Sequence, residues 1–166
     1  MTAAPDLIEP VVGFRKWRVI RDHITSPYVP LRWDAPVIRA RCFPANRSLL
    51  FGEGWLEEPH DAPHPDCKCG VYAWHDPPRR GRLPGPDDAF GIVSMWGRIE
   101  VHADGMRAEY ARVEAICYQP ELGSAHARRL RAVADGLGVT LISYDELVAH
   151  ARAVGSGIPA ELRPGC

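Results

Sequence analysis

Cys67-Lys-Cys69-Gly70 follows His60-Asp-Ala-Pro-His64-Pro within one proline-rich stretch, and a third cysteine, Cys42, ends a run of strand-forming residues upstream. Thiolate and imidazole are the ligands zinc takes in a tetrahedron, and four of them from the protein make a structural site with no position left for water. The set points to a Cys3His zinc centre built from Cys42, Cys67, Cys69 and one histidine. Gly70 supports it, since a glycine directly after the ligand pair lets the backbone turn tightly and aim amides at sulfur. His60 and His64 compete for the fourth position. Pro63 and Pro65 flank His64 and turn it outward, so His60 is preferred. Beside this reading stand buried thiols with solvated histidines, and an iron or copper site. A catalytic zinc would keep three ligands and a water, with Glu57 or Glu58 as base, and nothing in the sequence marks either glutamate for that role. The His-X-Glu and Pro-Cys-X-X-Cys signatures of zinc nucleobase deaminases are absent from the sequence.

A second group of residues suggests recognition. Between Phe14 and Arg47 there are eight basic residues against Asp22 and Asp34, whereas Glu53 to Asp66 carries five acids and no base. Five tryptophans are numerous for this length. Core packing is the ordinary role of an indole, but two or three rings can also grip a planar base, with arginines on phosphate. Arg15, Lys16, Trp17, Arg32 and Trp33 are the candidate surface for a nucleic acid or a nucleotide-like ligand. The net charge of -1 excludes a globally electrostatic nucleic-acid binder, and the excess of arginine over lysine follows from a GC-rich coding bias as readily as from recognition. Cys117 reads as a buried thiol, and His75 and His102 have no partner visible in sequence. No phosphate loop, nucleophile elbow or helical His-Glu-X-X-His occurs.

These groups need elements to position them. With 166 residues, 46% apolar and 25% charged, the chain is of a size and composition for one folded domain. Residues 1–12 read as a flexible arm. Phe14–Arg21 and Val37–Cys42 are strand candidates with arginines outside. Residues 43–86 hold many prolines and few apolar runs, so they read as loop, which needs a cross-link such as a metal to hold it. Ile92–Trp96, Arg98–His102 and Met106–Tyr110 alternate with period two around an Asp-Gly turn, which makes a hairpin the sheet core, with Arg107, Glu109 and Arg112 on its solvated side. Residues 120–155 read as helix–strand–helix: Ser124 caps a helix with Ala127, Leu130, Ala134 and Leu137 on one face, stopped by Gly136 and Gly138. Val139–Ile142 is a strand, and Ser143 with Glu146 forms a capping box for a helix bearing Leu147, Ala151 and Val154. The fold class is α+β: a small antiparallel sheet or partial barrel, a zinc-stapled loop and a C-terminal helix–strand–helix unit. No apolar run is long enough to span a bilayer and the start lacks the features of a signal peptide, so a cytoplasmic location, in which odd cysteines stay reduced, is expected, with no membrane partner.

Cys67-Lys-Cys-Gly-Val-Tyr-Ala73 after His60-Asp-Ala-Pro63, Gly91-Ile-Val-Ser-Met-Trp-Gly-Arg98, Gly105-Met-Arg-Ala-Glu109 and the opening Gly13-Phe-Arg-Lys-Trp-Arg18 resemble a group of small, uncharacterised actinobacterial proteins over most of the chain. The resemblance implies the zinc loop and no particular activity. A vaguer similarity, to PUA-like barrels of the EVE and ASCH type, implies binding of modified bases or RNA. The leading expectation is a zinc-stabilised binding module with structural Zn2+. A metal-dependent enzyme using the metal loop with Glu58 or His75, and an adaptor docking through its C-terminal helices, are the alternatives.

Overall fold

The computed structural model describes residues 9–43, 58–79 and 85–165. Eight strands form one mixed sheet: β1 (Val11–Ile20), β2 (His23–Thr25), β3 (Arg32–Trp33), β4 (Val37–Arg39), β5 (Val71–Trp74), β6 (Asp88–Val101), β7 (Gly105–Tyr118) and β8 (Thr140–Ser143). Helices α1 (Gly123–Leu137) and α2 (Leu147–Val154) flank β8. The α+β class and the C-terminal helix–strand–helix unit are those expected. The sheet is mixed because α1 carries the chain across to β8, which pairs in parallel with β7, Ala115 opposite Thr140.

The long hairpin β6–β7 organises the rest. Asp104-Gly105 turns it, and pairing runs from Val101↔Met106 to Phe90↔Cys117, with irregularities after Ile92 and at Trp96–Ile99. At the second of these Gly97 takes φ +78°, which suits glycine and bends the strand without ending it. What reads in sequence as two short strands is therefore one. The other edge of β7 is shared in relay: β5 occupies Gly105–Ala108, β4 Tyr110–Arg112 and β8 Ala115–Tyr118. β1 pairs with β6 along Val11–Arg18 and touches β5 at Phe14↔Trp74, so β1, β6, β7 and β5 close an uneven barrel-like ring.

Alternation on these strands divides the core into two faces. Val11, Trp17 and Val19 of β1 join Val93, Met95, Met106 and Ala108 in a cluster that α1 completes with Leu130, Val133, Ala134 and Leu137. Phe14, Phe90 and Ile92 point the other way, under Leu147 and Ala151 of α2. α2 is launched through a short 3-10 turn by the Ser143–Glu146 capping box.

Four expectations need correction. The strand starts at Val11, not after residue 12, because Val11 and Val12 pair with Met95 and Ser94; residues 1–8 of the expected arm lie outside the described residues. Within the 43–86 loop, Val71–Trp74 is a strand whose Val71 and Ala73 are buried while Tyr72 and Trp74 face out. Residues 44–57 and 80–84 of that loop, with Glu57, lie outside the described residues. Ser124 sits inside α1, whose N-cap is Leu122, and Gly136 is helical, so the left-handed Gly138 (φ 67°) alone ends that helix. Arg107 is not on a solvated face: it is buried, for a reason that the metal centre supplies.

Candidate metal centre

The chain leaves the sheet at the end of β4 and returns at the start of β5, and both strands lie on the same edge of β7. Residues 40–70 thus begin and end close together. Cys42 lies just past β4, and Cys67 and Cys69 just before β5, with His60 between them in sequence. The Cys42, Cys67 and Cys69 sulfurs and a ring nitrogen of His60 all lie within 4.8 Å of one another.

Two of the edges can be compared with those of a metal tetrahedron. Zn–S bonds of about 2.3 Å and a Zn–N bond of about 2.0 Å in a tetrahedron require S···S edges of about 3.8 Å and S···N edges of about 3.5 Å. Cys42 Sγ and Cys67 Sγ are 3.7 Å apart. Cys69 Sγ and His60 Nε2 are 3.4 Å apart. A disulfide needs sulfurs about 2.0 Å apart, so none of this is a bridge. No edge of the set exceeds 4.8 Å, so none has more than about 1.3 Å to contract around an ion.

His60 Nδ1 donates to the Glu58 carbonyl at 2.7 Å, which leaves Nε2 free to be a ligand. That bond pushes the His60 pKa up, burial opposing it. His64 stands aside: its Nδ1 accepts the Asp66 N–H at 3.2 Å, and its ring meets that of His60 edge-on. Cys67 and Cys69 are buried, and Cys42 half-buried. Burial first, and then Cys67 beside it, push the Cys69 thiol up to about 12. Thiolates crowded in this way need a cation, and a divalent ion inverts the local preference by deprotonating them.

Sequence reading missed the residue that builds the loop. Arg107 is 5% exposed. Its Nη1 donates to the carbonyls of Cys67 and, at 3.1 Å, Cys69, and Nη2 to that of His64 at 3.1 Å. Nε binds Glu100 at 2.8 Å. One planar guanidinium from β7 therefore holds three carbonyls of the metal loop, as its fixed fork of donors allows. Arg98 adds a bond of 2.9 Å to the Pro63 carbonyl. Gly70, at φ +131°, packs so closely that a Cβ would lie 3.1 Å from that of Arg107. In sequence Arg107 alternates with apolar neighbours as an exterior residue would; no local signal separates it from one.

The candidate basic-aromatic surface is corrected by burial. Trp17 and Trp33 are 0% and 1% exposed and pack edge-to-face on each other. No base can stack on them. Arg15 is buried against both rings, Lys16 pairs with Asp88 at 2.8 Å, and exposed Arg32 pairs with Asp34. Trp17 and Trp33 belong to the ring-interior cluster that α1 completes, while α2 covers the opposite face of β1 at Val12 and Phe14. His75 is buried, its Nε2 2.9 Å from the His102 carbonyl, and Cys117 is buried beneath α2. Among the described residues no helix is long and apolar enough to cross a membrane.

Comparison with protein-family models, curated proteins and solved structures found no match to this chain.

Proposed function

We propose that this chain is a zinc-stabilised binding module in which Cys42, His60, Cys67 and Cys69 hold one structural Zn2+. The pair of ligand edges, 3.7 Å and 3.4 Å, carries the reading, because both match a zinc tetrahedron. Three thiolates and an imidazole favour zinc over the oxygen-loving cations, and a tetrahedral site favours it over copper(II). Four protein ligands leave no position for a reacting water, so the metal acts on stability and Glu58 has no role as base. Its service is to hold Cys42, His60 and the Cys67–Cys69 segment together beside one edge of β7. Structural zinc sites contribute about 10–16 kcal/mol of apparent binding energy, which is folding energy wherever the unfolded chain lacks the site. As for what is bound, a nucleotide-sized molecule suits the fold better than a nucleic-acid strand, since Arg15, Trp17 and Trp33 are interior.

Elemental analysis and thermal melts of the purified protein test the zinc assignment, alongside Cys67→Ser, Cys69→Ser and His60→Gln. One zinc per chain, lost together with stability in each variant, is the expected result. Cobalt in its place should give the strong visible bands of tetrahedral thiolate coordination. Metal-free protein whose variants melt like the parent overturns the assignment. Tight binding of single-stranded nucleic acid that weakens steeply with salt would move the ligand site to the exposed basic residues instead.

A further inference from the structure

The edge of β1 passes from β5 at Phe14 to β2 at Arg18, leaving a gap in the wall of the ring. There the protein has a cavity of about 610 Å³, bounded by the turn after β2, by β5 and by the end of the metal loop. That is the size of a small-molecule site. Arg15 lines it, although it is only 7% exposed. Its Nη1 donates to the Tyr72 carbonyl and its Nη2 to Ser26 Oγ at 2.9 Å, while Nε is buried without a partner. Its ring neighbours are Trp17 and Trp33, at 6.0 and 5.4 Å. Among the described residues no carboxylate pairs with it. Burial accordingly lowers its pKa to about 10, with no acid acting against the shift. A buried cation left without a counter-charge is costly unless something brings one.

Two independent features surround that cation. The chain has only two lysines, Lys16 and Lys68, and both line this cavity together with Arg41; among the described residues Asp104 is the one carboxylate in its lining. Lys16 is committed to Asp88. Among the described residues the exposed large aromatic side chains, Tyr28, Tyr72 and Trp74, line it as well. Exposed rings gathered at one cavity beside unneutralised positive charge match a ligand with an anionic head and a flat body.

We propose that this cavity binds a small organic anion, a carboxylate or phosphate on a planar apolar body, with Arg15 and Lys68 receiving the charge and Tyr72 and Trp74 the body. The inference rests on the reading of the chain as a binding module and names the chemistry of its ligand. Arg15 supplies charge-assisted donors from a buried position, where they discriminate more strongly than at an exposed one.

The test is NMR titration of the zinc-loaded protein with four probes: 2-naphthoate, 2-naphthyl phosphate, neutral 2-naphthalenemethanol and inorganic phosphate. Saturable shifts of the Arg15 Nε–H and Trp74 indole signals are expected with one or both aromatic anions, at least tenfold tighter than with the alcohol or with phosphate alone. The preferred anion distinguishes carboxylate from phosphate. Lys68→Gln and Trp74→Ala, both on the rim, should each weaken binding threefold or more while leaving the zinc content unchanged; Arg15→Leu should abolish binding but endangers the fold. No saturable binding of either anion, or equal binding of the alcohol, overturns the proposal. Zinc is quantified in every sample, so a zinc-bearing protein that ignores the anions refutes the pocket alone, and a metal-free protein that binds them refutes the zinc site alone.

Discussion

Replacing Arg107 with methionine tests whether the metal loop is organised from the sheet. Methionine fills much of the same volume without a donor, so the carbonyls of His64, Cys67 and Cys69 lose a shared partner and Glu100 loses its counter-ion. Breaking a buried, hydrogen-bonded charge pair from one side costs about 3–5 kcal/mol. The same figure follows from three buried carbonyls at about 1 kcal/mol or more each. For a chain of this size each kcal/mol moves the melting temperature by about 2–4 °C, so a drop of about 6–20 °C is expected. Loss of the groups that orient metal ligands lowers metal affinity by about 10–100-fold. Competition against a chromogenic chelator reads the affinity, and melts of zinc-loaded and zinc-stripped protein read the stability. The combined variant Arg107→Met/Glu100→Met separates the two effects. It removes the orphaned carboxylate, whose Oε1 is already buried without a partner, so it should recover part of the stability and none of the zinc affinity. Unchanged zinc affinity, with the same loss of stability in stripped protein, would refute a link between Arg107 and the metal loop.

Two further outcomes follow from the packing. At Gly91 an added Cβ would run into the Ala115 carbonyl of the partner strand, with Trp17 behind it at 3.2 Å, so Gly91→Ala should destabilise by about 2–4 kcal/mol in urea unfolding; an unchanged midpoint would refute the β6–β7 register. His126 lies on the buried face of α1, and its pKa is lowered by burial, with the bond to the Pro86 carbonyl opposing and Arg129 adding to the shift. The unfolded chain therefore takes up a proton on His126 as pH falls through about 6.5 while the folded protein resists it, so stability drops below that pH. His126→Phe should flatten this part of the pH–stability curve, and a curve that keeps its slope would assign the acid sensitivity elsewhere.

The sequence was legible where a residue's chemistry or period acts locally. Cysteine and histidine spacing announced the candidate ligand cluster, Asp104-Gly105 the hairpin and Ser143 with Glu146 the start of α2. It was misleading where a side chain's surroundings come from distant chain. Arg15, Lys16, Trp17 and Arg18 look like a basic strand exterior, yet β1 is covered on both faces, by the ring interior and by α2, so Trp17 disappears into the core. Arg107 alternates as an outward residue should, but the metal loop folds over it. Tyr72 and Trp74 show the converse: their alternation with Val71 and Ala73 is a strand signal, hidden by the prolines around it.

The metal centre and the cavity are joined by two residues. Cys69 is a ligand of the candidate centre, and Cys69 and Gly70 also line the cavity, one step before β5 brings Tyr72 and Trp74 to its rim. Lys68, between the two ligand cysteines, is held through its carbonyl by the Tyr72 hydroxyl at 2.8 Å. An ion that fixes Cys67 and Cys69 thereby fixes the backbone from which Lys68 reaches the cavity. Without such a cross-link the loop must offset its ordering entropy through its packing alone. This predicts a coupling with a definite sign: zinc should tighten anion binding, and by thermodynamic reciprocity the anion should tighten zinc by the same factor. Titrating the anion into zinc-loaded and stripped protein, and zinc into anion-saturated and free protein, measures that factor twice. Equal affinities with and without metal would mean that the loop holds its shape unaided, and that the centre stabilises the chain without shaping what it binds.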